Sequence, residues 1–179
     1  MRIFIAITLP ENIKYYLKEI QNTLIKEPKG FSLAKDYHLT FKFLGNIDEE
    51  QINPIKKALS TIKSKSFTFS LDKIGFFPGN KMLRVVWLGI QPETDVLELQ
   101  SLIDQSLIKS FPKEKKFKPH ITLARVKFLK NKEEFLQNAS KLSVKNLEVG
   151  VKDFRLMKST LTKQGAVYGD LEVYPLDTS

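Results

Sequence analysis

The two histidines of this chain, His38 and His120, each stand two residues before a threonine, Thr40 and Thr122 respectively. Both tetrads read His-aliphatic-Thr-apolar. An imidazole titrates near neutral pH, so two imidazoles facing one cleft can act together. One accepts a proton from an attacking water while the other protonates the leaving oxygen. Threonine hydroxyls donate hydrogen bonds to the non-bridging oxygens of a phosphate. The paired tetrads therefore predict metal-independent phosphodiester chemistry.

A β-strand is the element that would place each histidine beside its threonine, because side chains i and i+2 point to the same face of a strand. A helix would set them roughly 200° apart. Strict alternation puts Lys42 on the same polar face as His38 and Thr40, and it turns Phe43 towards the core. In the second copy it turns Arg125 away from the histidine. Arg125 therefore belongs to the site only if a β-bulge or strand twist re-aims its side chain.

Other interpretations of the two histidines remain open. They could be structural residues on strand edges whose hydrogen bonds are all made within the protein. The fact that both histidines of the chain occur in the same motif argues against this. They could line a cleft that binds a nucleotide or an RNA end without turnover, but a pure binder has no need of two proton-transfer groups. They could also bind a metal together with Asp36, although a convincing third and fourth ligand is missing.

The composition is that of a globular protein with a basic surface. The chain has 179 residues, 42% of them hydrophobic, which is enough for one domain or for two small lobes that share a core. It has no cysteine, which excludes disulfides, thiolate metal sites and cysteine nucleophiles and fits a cytoplasmic protein. The net charge of +9 favours a polyanionic partner such as RNA, although a lysine surplus is also typical of a solvated surface.

Apolar periodicity and turn residues predict an alternation of strands and helices. Residues 2–9 form an apolar strand that ends at Pro10 without a leader cleavage site, and no apolar run approaches a membrane span. Asp48 and Gln51 form a capping-box pattern. Strands are also expected at 31–34, at the two His-Thr segments, and at 67–77, 83–90, 146–157 and 166–174; helices are expected at 10–26, 48–63, 92–109 and 131–141.

The two halves of the sequence resemble each other. Arg2 and Arg84, Pro10 and Pro92, and the two His-Thr pairs are all separated by the same offset of 82 residues. This predicts a single two-lobed domain with internal repeats at about 2–80 and 84–176, related by a pseudo-two-fold axis that sets the His-Thr strands opposite each other. Nothing in the sequence demands more than a monomer.

With these segments in hand, nearly the whole chain resembles the two-histidine phosphoesterase superfamily. Within it, the chain resembles the RNA 2′,3′-cyclic phosphodiesterases, which are LigT/ThpR-like and were once called 2′-5′ RNA ligases. The matching segments are 2–10, 38–45, 119–125 and 154–161, followed by Gly165, Tyr168 and 175–176. Many relatives carry a Trp shortly before the first motif. Upstream of Tyr37, which adjoins the motif, the nearest aromatic residue here is Phe31, so the chain departs from the family pattern at this base-stacking position.

The resemblance implies an α+β fold in which two antiparallel sheets form a central V-shaped cleft, with helices on the outside. It implies hydrolysis of RNA 2′,3′-cyclic phosphate ends to 2′-phosphomonoesters without metal or cofactor, with 2′-5′ ligation as the reverse reaction. His38 is implied as the proton donor and His120 as the proton acceptor. Thr40, Thr122 and Arg125 are implied as phosphate ligands. The expected substrate is a cyclic-phosphate-ended RNA, such as a tRNA half, or a small cyclic nucleotide.

Overall fold

The computed structural model describes residues 1–178, and its elements follow the predicted order. The strands are β1 (Arg2–Thr8), β2 (Phe31–Leu33), β3 (His38–Asn46), β4 (Phe67–Gly79), β5 (Met82–Gln91), β6 (Ile121–Val126), β7 (Glu148–Val151), β8 (Asp153–Thr162) and β9 (Gly165–Pro175). The helices are α1 (Glu11–Leu24), α2 (Glu49–Leu59), α3 (Thr94–Leu107) and α4 (Lys132–Lys141).

The helices pack against one face of the sheet and bury their apolar stripes there. In α1, the buried residues Ile13, Leu17 and Leu24 follow the helical period and join the inward-facing strand residues in one core cluster. The predicted capping box at the start of α2 is confirmed, because the Gln51 side chain accepts from the Asp48 N–H at 3.1 Å and the Gln51 N–H donates to Asp48 in return. None of the described helices is long and apolar enough to cross a membrane.

The strands form an antiparallel sheet in the order β7-β4-β5-β6-β3-β1-β8-β9, with β2 added to β6. Its two four-stranded halves are joined between β3 and β6 by one residue pair, Leu39 and Ile121. Residues from both halves line a cleft on the face away from the helices. The predicted α+β fold is confirmed, with the difference that the two sheets are continuous through this single pair.

Each half of the sheet contains strands from both halves of the chain. The strand that ends the first half of the sequence, β4, pairs with β5, and β8 from the second half pairs with β1. The single strand predicted at 146–157 is interrupted at Lys152. The two pieces pair with different halves of the sheet, β7 with β4 and β8 with β1. Local periodicity could not reveal this crossing, because partner choice is a long-range property.

The strand pairs also correct the ungapped repeat. Ala6 pairs with Thr40, and Trp87 pairs with Thr122. Ala6 and Trp87 are therefore structurally equivalent at an offset of 81, whereas the two threonines are 82 residues apart. A one-residue difference exchanges the two faces of a strand. The β4–β5 register also shifts between Val85 and Leu83, which leaves Arg84 without a partner in β4. The strand position of Arg2 therefore does not carry over to Arg84.

Candidate active site

The two His-Thr pairs meet where the halves of the sheet are joined. Leu39 and Ile121, the residues between each histidine and its threonine, are Cα partners in an antiparallel arrangement and are fully buried on the helix side. Their neighbours therefore point to the opposite face, into the cleft. In this register His38 lies across from Thr122, and His120 is its diagonal neighbour. Diagonal neighbours in an antiparallel pair are about 7–8 Å apart, a gap that one phosphate group can bridge.

A β-bulge in β3 corrects the predicted position of Lys42. Consecutive residues of β1 pair with Thr40 and Lys42, so Phe41 is the extra residue. The extra residue reverses the alternation beyond it. Lys42 therefore points into the interior, where it is 3% exposed, and it does not share the face of His38 as predicted. Phe43, which was expected in the core, is 66% exposed and lines the cleft instead.

The same bulge occurs in the second half and brings Arg125 into the site. Consecutive residues of β5 pair with Thr122 and Ala124, so Leu123 is the extra residue. Leu123 and Ala124 are both fully buried, and Arg125 turns to the cleft. Of the two irregularities that could re-aim Arg125, the bulge is therefore present. It occupies the same position in both repeats, three residues after each histidine.

The cleft contains a cavity of about 730 Å³. All five side chains that the sequence singled out, those of His38, Thr40, His120, Thr122 and Arg125, line this cavity. Further residues complete its wall: Arg2, Ile3, Phe4, Ser32, Leu33, Ala34, Lys35, Asp36, Phe43, Gly45, Ser159, Leu161, Gln164, Gly165, Ala166 and Tyr168. Their polar groups are mostly cationic or hydroxylic, so the cavity is chemically suited to an anion.

The ring of His120 is held in one orientation. Its Nδ1 lies 2.7 Å from the carbonyl oxygen of Lys118, so Nδ1 carries the proton and donates. In the neutral ring, Nε2 is then free to accept a proton. Phe77 packs edge-on against the ring at 4.9 Å between centroids. Burial lowers the pKa of His120; the Lys118 carbonyl opposes this shift, and the nearby Arg125 adds to it.

His38 lies in a more apolar setting. Its ring packs against Phe4 and Tyr168, with centroids 5.1 and 5.0 Å away. Its buried Nδ1 has no hydrogen-bond partner among the described residues. Burial lowers the pKa of His38 to about 4, while the Asp36 carboxylate favours the protonated ring and His120 opposes it. Burial thus lowers the pKa of both imidazoles, and Asp36 opposes this shift on the His38 side.

Two arginines reach the cavity without a carboxylate partner. Within residues 1–178, neither Arg2 nor Arg125 takes part in a salt bridge. The third cation of the wall, Lys35, donates to the carbonyl oxygen of Gln164 in the β8–β9 turn. The acidic group of the wall, Asp36, is bound by Lys14 at 2.7 Å. Both guanidinium groups therefore remain available for an anion in the cavity.

Sequence reasoning missed several wall residues. Tyr168 entered only through the family resemblance, and the apolar pattern of β1 gave no signal that Arg2 would reach the site, because strand pairing decides this. Phe31, the aromatic residue nearest to the expected Trp, packs against Phe135 at 5.5 Å and is absent from the cavity wall. No group of three His, Asp or Glu residues within 1–178 is arranged to hold a metal ion, and Asp36 forms no such group with the two histidines.

Comparison with known proteins gives full-length matches. RNA 2′,3′-cyclic phosphodiesterase from Archaeoglobus fulgidus is 34% identical over 97% of this chain and 99% of the relative. The protein of the same name from Methanocaldococcus jannaschii is 36% identical over 94% of this chain and 96% of the relative.

Solved structures give the same result for the fold. TT0787 of Thermus thermophilus matches with a TM-score of 0.79 and 28% identity over 98% of this chain and 97% of that one. Escherichia coli LigT complexed with 3′-AMP matches with a TM-score of 0.78 and 26% identity over the same shares. The family model described as LigT like phosphoesterase matches residues 7–87 and again 88–168. This chain therefore belongs to the LigT-like phosphoesterase family.

Proposed function

We propose that this protein hydrolyses the 2′,3′-cyclic phosphodiester at the end of an RNA, without a metal ion, and releases a 2′-phosphomonoester. The main support is the register of β3 and β6, which sets two imidazoles diagonally across one cavity with a threonine beside each. The names of the full-length relatives support the substrate class, and the basic net charge of +9 is compatible with it.

In the proposed reaction, His120 is the proton acceptor. Its Nδ1 proton is bound to the Lys118 carbonyl, so Nε2 presents a lone pair to the cavity. A water oriented by Nε2 attacks phosphorus and gives its proton to the ring. The positive charge that develops on the ring is stabilised by the same carbonyl hydrogen bond.

His38 is the proposed proton donor to the 3′ oxygen as the P–O3′ bond breaks. Burial keeps its pKa near 4 in the unliganded protein. A bound phosphodiester brings a negative charge beside the ring, which raises this pKa, as Asp36 already does in part. Substrate binding therefore favours the protonated form of His38, which can then act as the proton donor. After turnover His38 is neutral and His120 is protonated, and exchange with water restores both.

Thr40, Thr122 and Arg125 are the proposed phosphate ligands. A guanidinium and two hydroxyls can stabilise the charge on the non-bridging oxygens in the transition state. If the 5′-hydroxyl of a second RNA strand takes the place of water, its oxygen bonds to phosphorus and gives its proton to His120 while the same P–O3′ bond breaks and O3′ takes the proton of His38, so 2′-5′ RNA ligation is part of the proposal. We further propose that the protein acts as a monomer in the cytoplasm.

The test is incubation of the protein with an oligoribonucleotide that ends in a 2′,3′-cyclic phosphate, in the presence of EDTA. We expect conversion to the 2′-phosphate with a bell-shaped pH profile. His38→Ala and His120→Ala should each lower kcat by about 100-fold or more, and Thr40→Ala by about 10-fold. Thr68→Ala, an exposed threonine on β4 away from the cavity, is the matched control.

Tight binding of the cyclic end without ring opening would indicate a non-catalytic binding module. Activity lost in EDTA and recovered with a divalent metal would contradict the metal-independent mechanism. Ring opening that survives both histidine substitutions would contradict the assigned dyad.

A further inference from the structure

The cavity continues beyond the two histidines along β1. Phe4 packs against His38, and Arg2 is the next residue of β1 on the same face. Two residues along a strand correspond to about 6.6 Å. Arg2 therefore reaches the cavity one step beyond the His38 ring, at a distance comparable with the size of one nucleotide unit rather than of one phosphate.

The surroundings of Arg2 form a hydrogen-bonding surface for an anion. Arg2 pairs with Ser159 of β8, and Ser159 pairs with Tyr168 of β9. All three line the cavity. Arg2 has no carboxylate partner within residues 1–178. A guanidinium and two hydroxyls, all of them donors, thus stand in a row at this end of the cavity.

Arg125 and Arg2 occupy different places relative to the dyad. Arg125 extends from the strand of His120, three residues beyond Thr122, and belongs to the reacting phosphate in the proposed function. Arg2 extends from the opposite half of the sheet and lies beyond the aromatic ring of Phe4. The two guanidinium groups therefore approach the cavity from different halves of the sheet, so a ligand with two anionic groups can contact both.

We propose that Arg2, with the hydroxyls of Ser159 and Tyr168, binds the phosphate on the 5′ side of the nucleotide that carries the cyclic end. This deepens the proposed function and rests on it. This subsite favours an RNA strand or a 5′-phosphorylated nucleotide as the ligand, because a cyclic mononucleoside phosphate has no second phosphate that Arg2 could bind. Guanidinium groups bind phosphate through two parallel hydrogen bonds, which also fixes the direction in which the strand leaves the site.

Two small substrates that differ only in the 5′-phosphate test the contact with Arg2. They are adenosine 2′,3′-cyclic phosphate and the same compound with a 5′-phosphate. The wild-type protein should show a KM about 10-fold lower for the 5′-phosphorylated compound, with similar kcat values. Arg2→Gln should remove most of this preference. Arg2→Lys, which keeps the charge but loses the paired donors, should retain part of it. Added salt should weaken the wild-type preference more than that of Arg2→Gln.

Arg84→Gln is the matched control. Arg84 aligns with Arg2 in the sequence repeat but lies on the wall of a separate surface pocket, so its substitution should leave the preference intact. Equal KM values for the two compounds in the wild type, or an equal increase for both in Arg2→Gln, would overturn the subsite and leave the proposed function standing. No ring opening of either compound by the wild type would overturn the proposed function and the subsite with it.

Discussion

Replacement of Lys42 by Met tests the observation that the bulge in β3 turns this lysine into the interior. Its Nζ lies 2.6 Å from Oδ1 of Asp104 and 2.6 Å from the carbonyl oxygen of Pro112. The other Asp104 oxygen accepts from Nε2 of Gln100 and from the Glu114 backbone N–H, both at 2.9 Å. The lysine and aspartate side chains are only 2% and 5% exposed. This network ties β3 to α3 and to the loop that leads into the second histidine motif.

Burial alone would raise the pKa of Asp104, but hydrogen bonds from Lys42, the Glu114 backbone and Gln100 outweigh it and hold the pKa below its ordinary value. Lys42→Met removes the charge that compensates this carboxylate. Loss of one partner of a buried ion pair costs about 3–5 kcal/mol. For a protein of this size each kcal/mol corresponds to about 2–4 °C, so the melting temperature should fall by roughly 6–20 °C.

The measurements are urea unfolding and thermal unfolding at pH 7, both followed by circular dichroism. The double variant Lys42→Met/Asp104→Leu should recover much of the loss, because it removes the unpaired charge as well. Arg155→Gln is the control: Arg155 makes an equally short 2.6 Å contact with Asp170, but the two side chains are 28% and 37% exposed. It should cost less than about 1 kcal/mol. An equally small loss for Lys42→Met would refute the reasoning.

Two further predictions concern the site. The unfolded chain protonates His38 near pH 6.5, whereas burial lowers its pKa to about 4 in the folded state. Acidification through this window should therefore cost the wild type up to about 3 kcal/mol of unfolding free energy, and urea titrations of His38→Gln should lack this component. An identical pH dependence in both proteins would contradict the burial of this ring. At Gly75, an added Cβ would lie 2.2 Å from the indole of Trp87, whose ring packs against His120. Gly75→Ala should lower stability by about 1–3 kcal/mol and reduce kcat, whereas Gly150→Ala, which meets nothing within 4 Å, should do neither.

The exchange of strands between the halves bears on the domain organisation. Since β4 pairs with β5 and β8 pairs with β1, each half of the chain lacks a strand that its partner supplies. We propose that the chain forms a single two-lobed domain built from a duplicated unit. The matching bulges at Phe41 and Leu123, which are 82 residues apart, support a common origin of the two His-Thr strands.

The period of two in a β-strand made it predictable that each histidine shares a face with its threonine. His38 and Thr40, and His120 and Thr122, lie on one face because local geometry alone decides it. The α+β order and the α2 capping box were predictable for the same reason, since apolar period and capping residues act within a few positions. The residue pair Leu39–Ile121 could not be predicted directly, although the repeat indicated that the two motifs would face each other.

Local sequence thus established which side chains could do the chemistry and which element each occupies. The surroundings of those side chains depend on the assembled sheet: the bulges sent Lys42 to the interior and brought Phe43 and Arg125 to the cavity, and strand pairing added Arg2 and Tyr168. The physical reason is that a bulge exists only relative to a partner strand. The face of every residue beyond it therefore depends on contacts between segments far apart in the chain.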